Sequence, residues 1–391
     1  MTTHSPAHIA LSHSPTAGIV AIAHGERYPW AQTALKIAGF QPREDGAFRL
    51  PVSASETVRD VAGDLFRLAR RHQAVVTVSS RGFLGDAAEQ IAARLPGRWS
   101  AQLEIYSHPI WQHDLVALLW DDGELIRAVT EQQIPFAAVL TNHAGIELLL
   151  AERPGHPSDY LVAAFAPEGF DDNYDAAHAP RSLAVPGSSR LAASAIGEQF
   201  LPTYHRALHA RCLADVAYGL ASLRDEHEAL QVVRESGRYS DAALLAPGSL
   251  PELERQFDDL ARYKLRHYFF YAPTLLDQCR PAQTPWPQDA AALERLRTAL
   301  DQCSAVLAQR ATAVTPGTAV TADAKAGRGP QLLPVVDALL ADGDVLLRQA
   351  RAAAPPPPHT KSGPEHDVPA LPPARPAPAG ATPAGATPPR R

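Results

Sequence analysis

Two short polar segments in the first quarter of the chain have residue types suited to binding an anion. The apolar run GIVAIA ends at His24, and the apolar run AVVTV is followed directly by Ser79, Ser80 and Arg81. In open parallel sheets, ligands bind beyond the carboxyl ends of the strands. If these two strands are neighbours in such a sheet, His24, Ser80 and Arg81 converge. We therefore name His24, Ser79, Ser80 and Arg81 as candidate ligand-binding residues.

The chemistry of this candidate site is that of a small anion. Arg81 offers a planar pair of donors to a phosphate or carboxylate, and His24 can carry a proton near neutral pH. A helix predicted from Gly85 adds free backbone N–H groups at its start. Because neither GxxxxGK[ST] nor GxGxxG is present, we expect a phosphorylated metabolite rather than a dinucleotide. The alternative is structural, since polar residues often end strands to cap the next helix.

No catalytic or metal-binding motif is complete. His205, His209 and Cys212 share one face of a predicted helix, but two of them also lie on its apolar seam, which is typical of core residues. The acidic segment Asp171–Asp175 lacks the Gly and the distal Glu of a calcium loop. There is no GxSxG nucleophile elbow. The sequence predicts no metal and no cofactor, and it leaves open whether the protein is an enzyme.

The segment Arg262–Tyr271 (RYKLRHYFFY) interleaves basic and aromatic side chains. Such a segment can stack on nucleic-acid bases. The alternative, which we favour, is an amphipathic helix whose aromatic residues fill a core while its basic residues face water. The net charge of −6 also weighs against nucleic acid, because phosphate-binding proteins usually carry a basic surplus.

The pattern of apolar residues over residues 18–187 predicts an α/β fold. Strands predicted at 18–23, 74–78 and 103–106 alternate with helices, the clearest being Ser53–His72. This alternation implies right-handed crossovers and a mainly parallel sheet. After Ile134, three strand-like runs are separated by turn sequences and predict an added antiparallel meander. These runs are Phe136–Leu140, Ile146–Ala151 and Tyr160–Phe165.

From Ser188 to Ala350 the apolar residues follow a helical period. Two seams with spacings of three and four, Leu208–Leu230 and Leu293–Leu307, predict an all-helical bundle or coiled coil. The tail after residue 350 contains 13 prolines and cannot bury enough apolar surface to become ordered. We therefore divide the chain into a disordered N-terminus (1–17), an α/β domain (18–187), a helical domain (188–350) and a disordered Pro/Ala-rich tail (351–391).

The cysteine content and the apolar segments of the sequence predict a cytoplasmic location. Three widely spaced cysteines without a CxxC pair are typical of a reduced, cytoplasmic protein rather than a disulfide framework. The first 17 residues lack the charge and the apolar run of a signal peptide, and no apolar stretch is long enough to predict a membrane span. The Ala-rich, Lys-poor composition is typical of GC-rich bacterial genes.

Three classes of function follow from these patterns. The first is a non-enzymatic accessory or binding protein whose helical half self-associates or docks a protein partner. The second is an enzyme or sensor for a small anionic ligand at His24 and Ser79–Arg81. The third is a nucleic-acid-associated protein that uses Arg262–Tyr271. The missing motifs weigh against the second class and the net charge weighs against the third, so we expect the first.

Overall fold

The computed structural model describes residues 6–50, 55–167, 170, 178–239, 241–279, 286–313 and 332–355. The acidic segment Asp171–Asp175 and the tail from residue 356 lie outside these residues. The described chain consists of a β-rich region with one mixed and one antiparallel sheet, followed by a helical region. In the part of the chain that is described, no helix is both long and apolar enough to cross a membrane.

The first sheet, sheet A, has five strands in the order β3-β4-β2-β1-β5. One of its faces is covered by two helices, α1 (Tyr28–Ile37) and α2 (Ser55–Arg71), which pack on apolar residues of β1, β2 and β4. The strands are β1 (Ala7–Ser14), β2 (Gly18–His24), β3 (Gln41–Pro42), β4 (Phe48–Leu50) and β5 (Ala74–Gly82).

Residues 7–14 form a strand, so the prediction of a disordered segment over residues 1–17 is wrong there. β1 lies between β2 and β5, and Ala7 and Ile9 on one of its faces are fully buried. The other face carries His8 and Ala10, which are half-buried. Because most residues of β1 are small or polar, the alternation of apolar and polar residues that marks a strand is weak in its sequence.

The prediction of a mainly parallel sheet is also wrong. Among the described strand pairs, only β1 and β5 run parallel. β2 and β1 form an antiparallel hairpin, closed where the N–H of Ala17 donates to Ser14 Oγ at 2.9 Å. Because the prediction had no strand before Gly18, this hairpin could not be recognised.

The second sheet, sheet B, is antiparallel, with the order β11-β10-β9-β8-β6 and a short β7 beside β10. β8, β9 and β10 pair in sequence and confirm the predicted meander. Its first turn is set by Asn142, whose side-chain oxygen accepts from the N–H groups of Ala144 and Ile146. The strands are β6 (Trp99–Ile105), β7 (Leu119–Trp120), β8 (Phe136–Asn142), β9 (Glu147–Glu152), β10 (Asp159–Phe165) and β11 (Leu183–Pro186).

Sheet B has apolar cores on both faces. On one face it packs with α3 (Leu84–Ala92), α6 (Ser189–Ala195) and the sheet A residues Val20 and Ile22. On the other face, its outer face, it packs with α4 (His113–Leu118) and α5 (Glu124–Glu131). Burial on both sides explains why β9 has a continuous apolar run instead of an alternating one.

The helical region holds both predicted seams in one core. Leu220 and Leu223 of the first seam lie in the same cluster as Leu293, Leu296 and Leu300 of the second. A five-residue π-helical segment, Ile196–Phe200, connects α6 to the first long helix. The long helices are α7 (Leu201–Ser236), α8 (Leu250–Gln278), α9 (Ala290–Ala313) and α10 (Leu333–Ala352).

The sheets and the long helices share side chains near the predicted boundary at residue 187. Phe170 packs against the core of sheet B and also against the core of the helices. Its ring meets Trp120 of β7 at 5.0 Å and Tyr271 of α8 at 5.5 Å between ring centroids. This aromatic contact connects the core between sheet B, α3 and α6 to α8.

Candidate functional site

The strand directions separate His24 from Ser79–Arg81. β2 runs antiparallel to β1, whereas β5 runs parallel to it. His24 therefore pairs with His8 near the start of β1, and the end of β5 pairs with His13 near its end. These two positions on β1 are about 17 Å apart, at about 3.3 Å per residue. The expectation that His24, Ser80 and Arg81 converge is therefore wrong.

Arg81 is used to join the two sheets. A bulge in β5 shifts its register against β1 between Val78 and Gly82, and such bulges redirect side chains. The guanidinium lies 3.1 Å from the carboxylate of Glu152, and its Nε donates to the Pro157 carbonyl at 2.7 Å. Two further carbonyls, of Arg153 and His156, accept from Nη2. An anion at Arg81 would have to displace these partners.

The two serines beside Arg81 have unequal roles. Ser79 Oγ accepts the backbone N–H of Arg81 at 3.0 Å, which holds the bulge in place. Ser80 is exposed. The contact between Ser79 and Arg81 is therefore a hydrogen bond to the backbone that stabilises the bulge. Ser80 lies at the surface of the edge strand.

His24 stacks on His8, with 5.1 Å between the ring centroids. Burial, reinforced by the neighbouring His8, lowers the pKa of His24 to about 4. Its Nδ1 is buried and has no hydrogen-bond partner among the described residues. An imidazole with this pKa is neutral at pH 7, so it offers no positive charge to an anion.

Of the three helix residues with metal-ligand chemistry, His209 and Cys212 are buried and His205 is exposed. His209 is buried, and its Nδ1 lies 2.6 Å from Gln278 Oε1. Cys212 is buried as well, and burial raises the pKa of its thiol to about 12. Within the described ranges, no three His, Cys, Asp or Glu side chains are grouped so that they could hold a metal ion.

A cavity of about 1040 Å³ lies on the outer face of sheet B, between the sheet and α4. It is partly open to solvent. Its walls come from β6, β8, β9, the end of β10, and the chain from α4 through β7 into α5. The lining residues are Gln102, Glu104, His113, Leu115, Val116, Ala117, Leu118, Leu119, Trp120, Asp121, Ile126, Val139, Thr141, Glu147, Phe165, Ala166, Pro167, Phe170 and Ala179.

The sheet supplies the polar wall of this cavity. In β6, Gln102 and Glu104 share a face while Leu103 between them is buried on the other, as expected for a strand. Thr141 of β8 pairs with Glu147 of β9, and their side-chain oxygens lie 3.4 Å apart. The helices α4 and α5 cover the middle of this face, so the polar residues remain at its open side.

The opposite wall is apolar and partly aromatic. Trp120 is buried and meets the rings of Phe170 and Tyr204 edge-on, at 5.0 Å and 5.8 Å between centroids. Phe165 ends β10 beside it, and Leu118 lies at the mouth with 54% of its surface exposed. These contacts hold the Trp120 ring in the core that it shares with Phe170 and Tyr204, whereas more than half of the Leu118 surface is exposed.

Two of the lining carboxylates have defined partners. Glu104 accepts a hydrogen bond from the Tyr106 hydroxyl at 2.5 Å, and burial raises the pKa of Tyr106, so this hydroxyl keeps its proton. Asp121 accepts from the N–H groups of Ile126 and Ser182, at 2.9 Å and 2.5 Å. Asp121 thus holds α5 and the start of β11 in place, although burial raises its pKa.

Two carboxylates of the sheet wall, Glu104 and Glu147, lie on different strands. Glu104 and Glu147 are two strands and four residues apart on the sheet lattice, which places their Cα atoms about 16 Å from each other. The described lining residues include no Ser, Cys, Lys or Arg that could act as a nucleophile with an adjacent base.

Sequence reasoning missed this cavity, although one signal for it exists. Over residues 100–105, Ser, Gln and Glu alternate with Ala, Leu and Ile. The predicted strand covered only 103–106, which is too short to show the alternation. Over the full strand Trp99–Ile105, this alternation indicates that one face of the strand carries polar residues. Such a face is not covered by helices along its whole length.

Comparison of the chain with protein-family models, with curated proteins and with solved structures gives no match.

Proposed function

We propose that the protein is a non-enzymatic binding protein whose ligand is a small, largely apolar molecule held in the cavity of sheet B. The supporting observation is the cavity itself, with a volume of about 1040 Å³, one apolar wall and a few polar groups on the other. Ligand sites typically have this size and composition. The proposal keeps the class expected from the sequence and moves the site from the helical half to the sheet.

An anion sensor at the strand ends has less support. It needs a positive charge and a proton carrier at one place, but Arg81 and His24 lie at opposite ends of sheet A. Arg81 also has a carboxylate and three carbonyls as partners. Anion binding at either position remains a prediction.

Self-association through the helical seams and nucleic-acid binding by Arg262–Tyr271 also have less support than the sequence suggested. The two seams pack on each other within one chain, so they do not argue for self-association. In Arg262–Tyr271, the residues Leu265, Tyr268 and Tyr271 are buried in the core. Lys264 donates to Ser222 Oγ at 2.6 Å. Tyr263 and Phe270 of the same segment are exposed. The buried residues agree with the amphipathic helix that we favoured, while nucleic-acid binding and partner docking by the helices stay predictions.

The proposal is tested with 4-phenylbutanol, which has an apolar body and a neutral polar end. We expect it to raise the thermal midpoint of the wild type, because a ligand that binds only the folded state stabilises it. Val116→Trp places an indole in the cavity from α4 and should lower the affinity at least about tenfold. Titration calorimetry measures both affinities directly.

The matched control is Thr130→Trp, which adds the same indole on an exposed position of α5 outside the lining. This variant should bind 4-phenylbutanol like the wild type. The proposal is wrong if Val116→Trp binds as tightly as the control. It is also wrong if neither this alcohol nor its amine and acid analogues bind to the wild type at all.

A further inference from the structure

The ionisable groups among the described lining residues are three carboxylates and one imidazole. Its lining contains the carboxylates of Glu104, Asp121 and Glu147 and the imidazole of His113, and its described residues include no Lys or Arg. The cavity interior therefore has a negative potential at neutral pH. A carboxylate or phosphate entering it would meet repulsion from these carboxylates, and the described lining offers no guanidinium or ammonium to compensate.

Glu104 is the carboxylate best placed to hold a positive charge. It is half-buried on the sheet wall, so its charge is less screened than that of Glu147, which is exposed at the rim. The Tyr106 hydroxyl donates to it at 2.5 Å and fixes its orientation. Asp121 is already occupied by two backbone N–H groups.

The aromatic residues across the cavity suit the same type of ligand. Trp120, Phe165 and Phe170 lie in the apolar wall. Trp120 is buried against Phe170, so this wall offers an apolar surface to the body of a ligand. An amine on an apolar body would place its body against this wall and its charge towards Glu104 on the sheet wall.

We infer that the cavity selects cationic amphiphiles, that is, primary amines or quaternary ammonium groups on an aryl or alkyl body, with Glu104 as the residue that positions the charge. This inference rests on the proposed function, since it names the class of ligand for the same cavity. It differs from the expectation of an anionic ligand that the sequence suggested.

The test compares three probes with the same apolar body: 4-phenylbutylamine, 4-phenylbutanol and 4-phenylbutyrate. By titration calorimetry with the full chain at pH 7 and low salt, we expect the amine to bind at least about tenfold more tightly than the alcohol, and the acid to bind most weakly. Raising the salt concentration should weaken the amine and leave the alcohol unchanged.

Glu104→Gln is the decisive variant, because glutamine still accepts from Tyr106 but carries no charge. We expect it to weaken the amine about tenfold and to leave the alcohol unchanged. Asp114→Asn is the matched control, since Asp114 is an exposed carboxylate on α4 outside the lining. It should change the affinity of neither probe by more than about twofold.

The possible failures are distinguishable. If the alcohol and the acid bind as tightly as the amine, the cation inference is overturned and the proposed function stands. If Glu104→Gln weakens the amine and the alcohol equally, Glu104 acts on the shape of the cavity and the inference is again overturned. If none of the three probes binds the wild type, the proposed function itself fails. The salt dependence needs no variant, so it decides the question even if Glu104→Gln does not fold.

Discussion

The guanidinium of Arg81 connects the edge strand of sheet A to the turn between β9 and β10 of sheet B. Only 11% of its side chain is exposed, and it lies 3.1 Å from Glu152. Burial raises the pKa of Glu152, and the charge of Arg81 counteracts that rise. Removal of Arg81 would therefore leave a partly buried carboxylate without its charged partner and would take one hydrogen bond from each of three carbonyls.

We expect Arg81→Ala to lower the free energy of unfolding by about 2 kcal/mol, because removing one member of a buried pair leaves the other unpaired. Urea denaturation measures the loss. Adding Glu152→Gln to the variant should recover part of it, since glutamine carries no charge to be desolvated. A loss below about 0.5 kcal/mol for Arg81→Ala would show that the link between the sheets does not depend on this side chain.

His24 makes the stability of the protein dependent on pH. Its pKa is lowered to about 4 in the folded chain, from an ordinary value of 6.5. Between these values the unfolded chain binds a proton that the folded chain does not bind. The stability is therefore fully present above pH 6.5 and decreases as the pH falls towards 4, by about 3 kcal/mol at most from this residue.

We expect His24→Gln to flatten this pH dependence, as measured by urea denaturation at several values between pH 4 and 7. His205, whose pKa is also lowered by burial, contributes in the same direction and remains in the variant. His143→Gln, in the exposed turn between β8 and β9, should keep the wild-type slope. An unchanged slope in His24→Gln would contradict the assignment of this dependence to the His8–His24 stack.

At the scale of elements, β1 determines the topology of sheet A. It supplies both the antiparallel partner of β2 and the parallel partner of β5. Ile9 on its buried face packs under α1 and α2 with Ala21 and Phe48. A strand in this position cannot be removed without exposing a ladder edge on each of its neighbours.

We expect Ile9→Ala to lower the free energy of unfolding by about 3 kcal/mol, as is usual for a fully buried branched side chain. Leu11→Ala should cost less, because Leu11 is only half-buried on the same strand. If residues 1–17 lay outside the folded body, as the sequence suggested, both substitutions would leave the denaturation midpoint unchanged.

Individual elements could be predicted from the sequence better than their relations. The meander was predictable, because Asn142 and Gly145 provide turn chemistry that fixes an antiparallel hairpin locally. The direction of β2 relative to β5 was not, because it depends on β1, a strand made mostly of Ala, His and Ser. The candidate cavity depends on how far α4 extends over sheet B. That distance cannot be predicted from the local sequence of either element.

At the scale of the whole molecule, the last helix closes the helical core. Leu346 and Leu347 of α10 are buried with the leucines of α7 and α9. Two arginine–carboxylate contacts add to this packing, between Arg295 and Asp342 at 2.7 Å and between Arg348 and Asp289 at 2.7 Å. The helix ends at Ala352, so the folded core extends to the beginning of the proline-rich tail.

We expect a chain that ends at Pro355 to keep the thermal midpoint of the full chain, because the residues beyond it contain few large apolar side chains. A chain that ends at Asp344 lacks Leu346 and Leu347 and should unfold at a clearly lower temperature. Scanning calorimetry compares the three chains. A drop of more than a few degrees for the first truncation would show that the tail packs on the body.

The parallel pairing of β1 with β5 also determines when sheet A can form during synthesis. The hairpin of β1 and β2 leaves the ribosome first, with Ile9 and Ile22 still uncovered and one edge of β1 unpaired. At about 5–20 residues per second, roughly 3–12 s then pass before β5 follows. During that interval the nascent chain presents an unpaired strand edge together with two uncovered isoleucines, a combination that promotes aggregation. The rate of translation between Gly25 and Gly82 should therefore influence how much of the protein folds correctly in a cell.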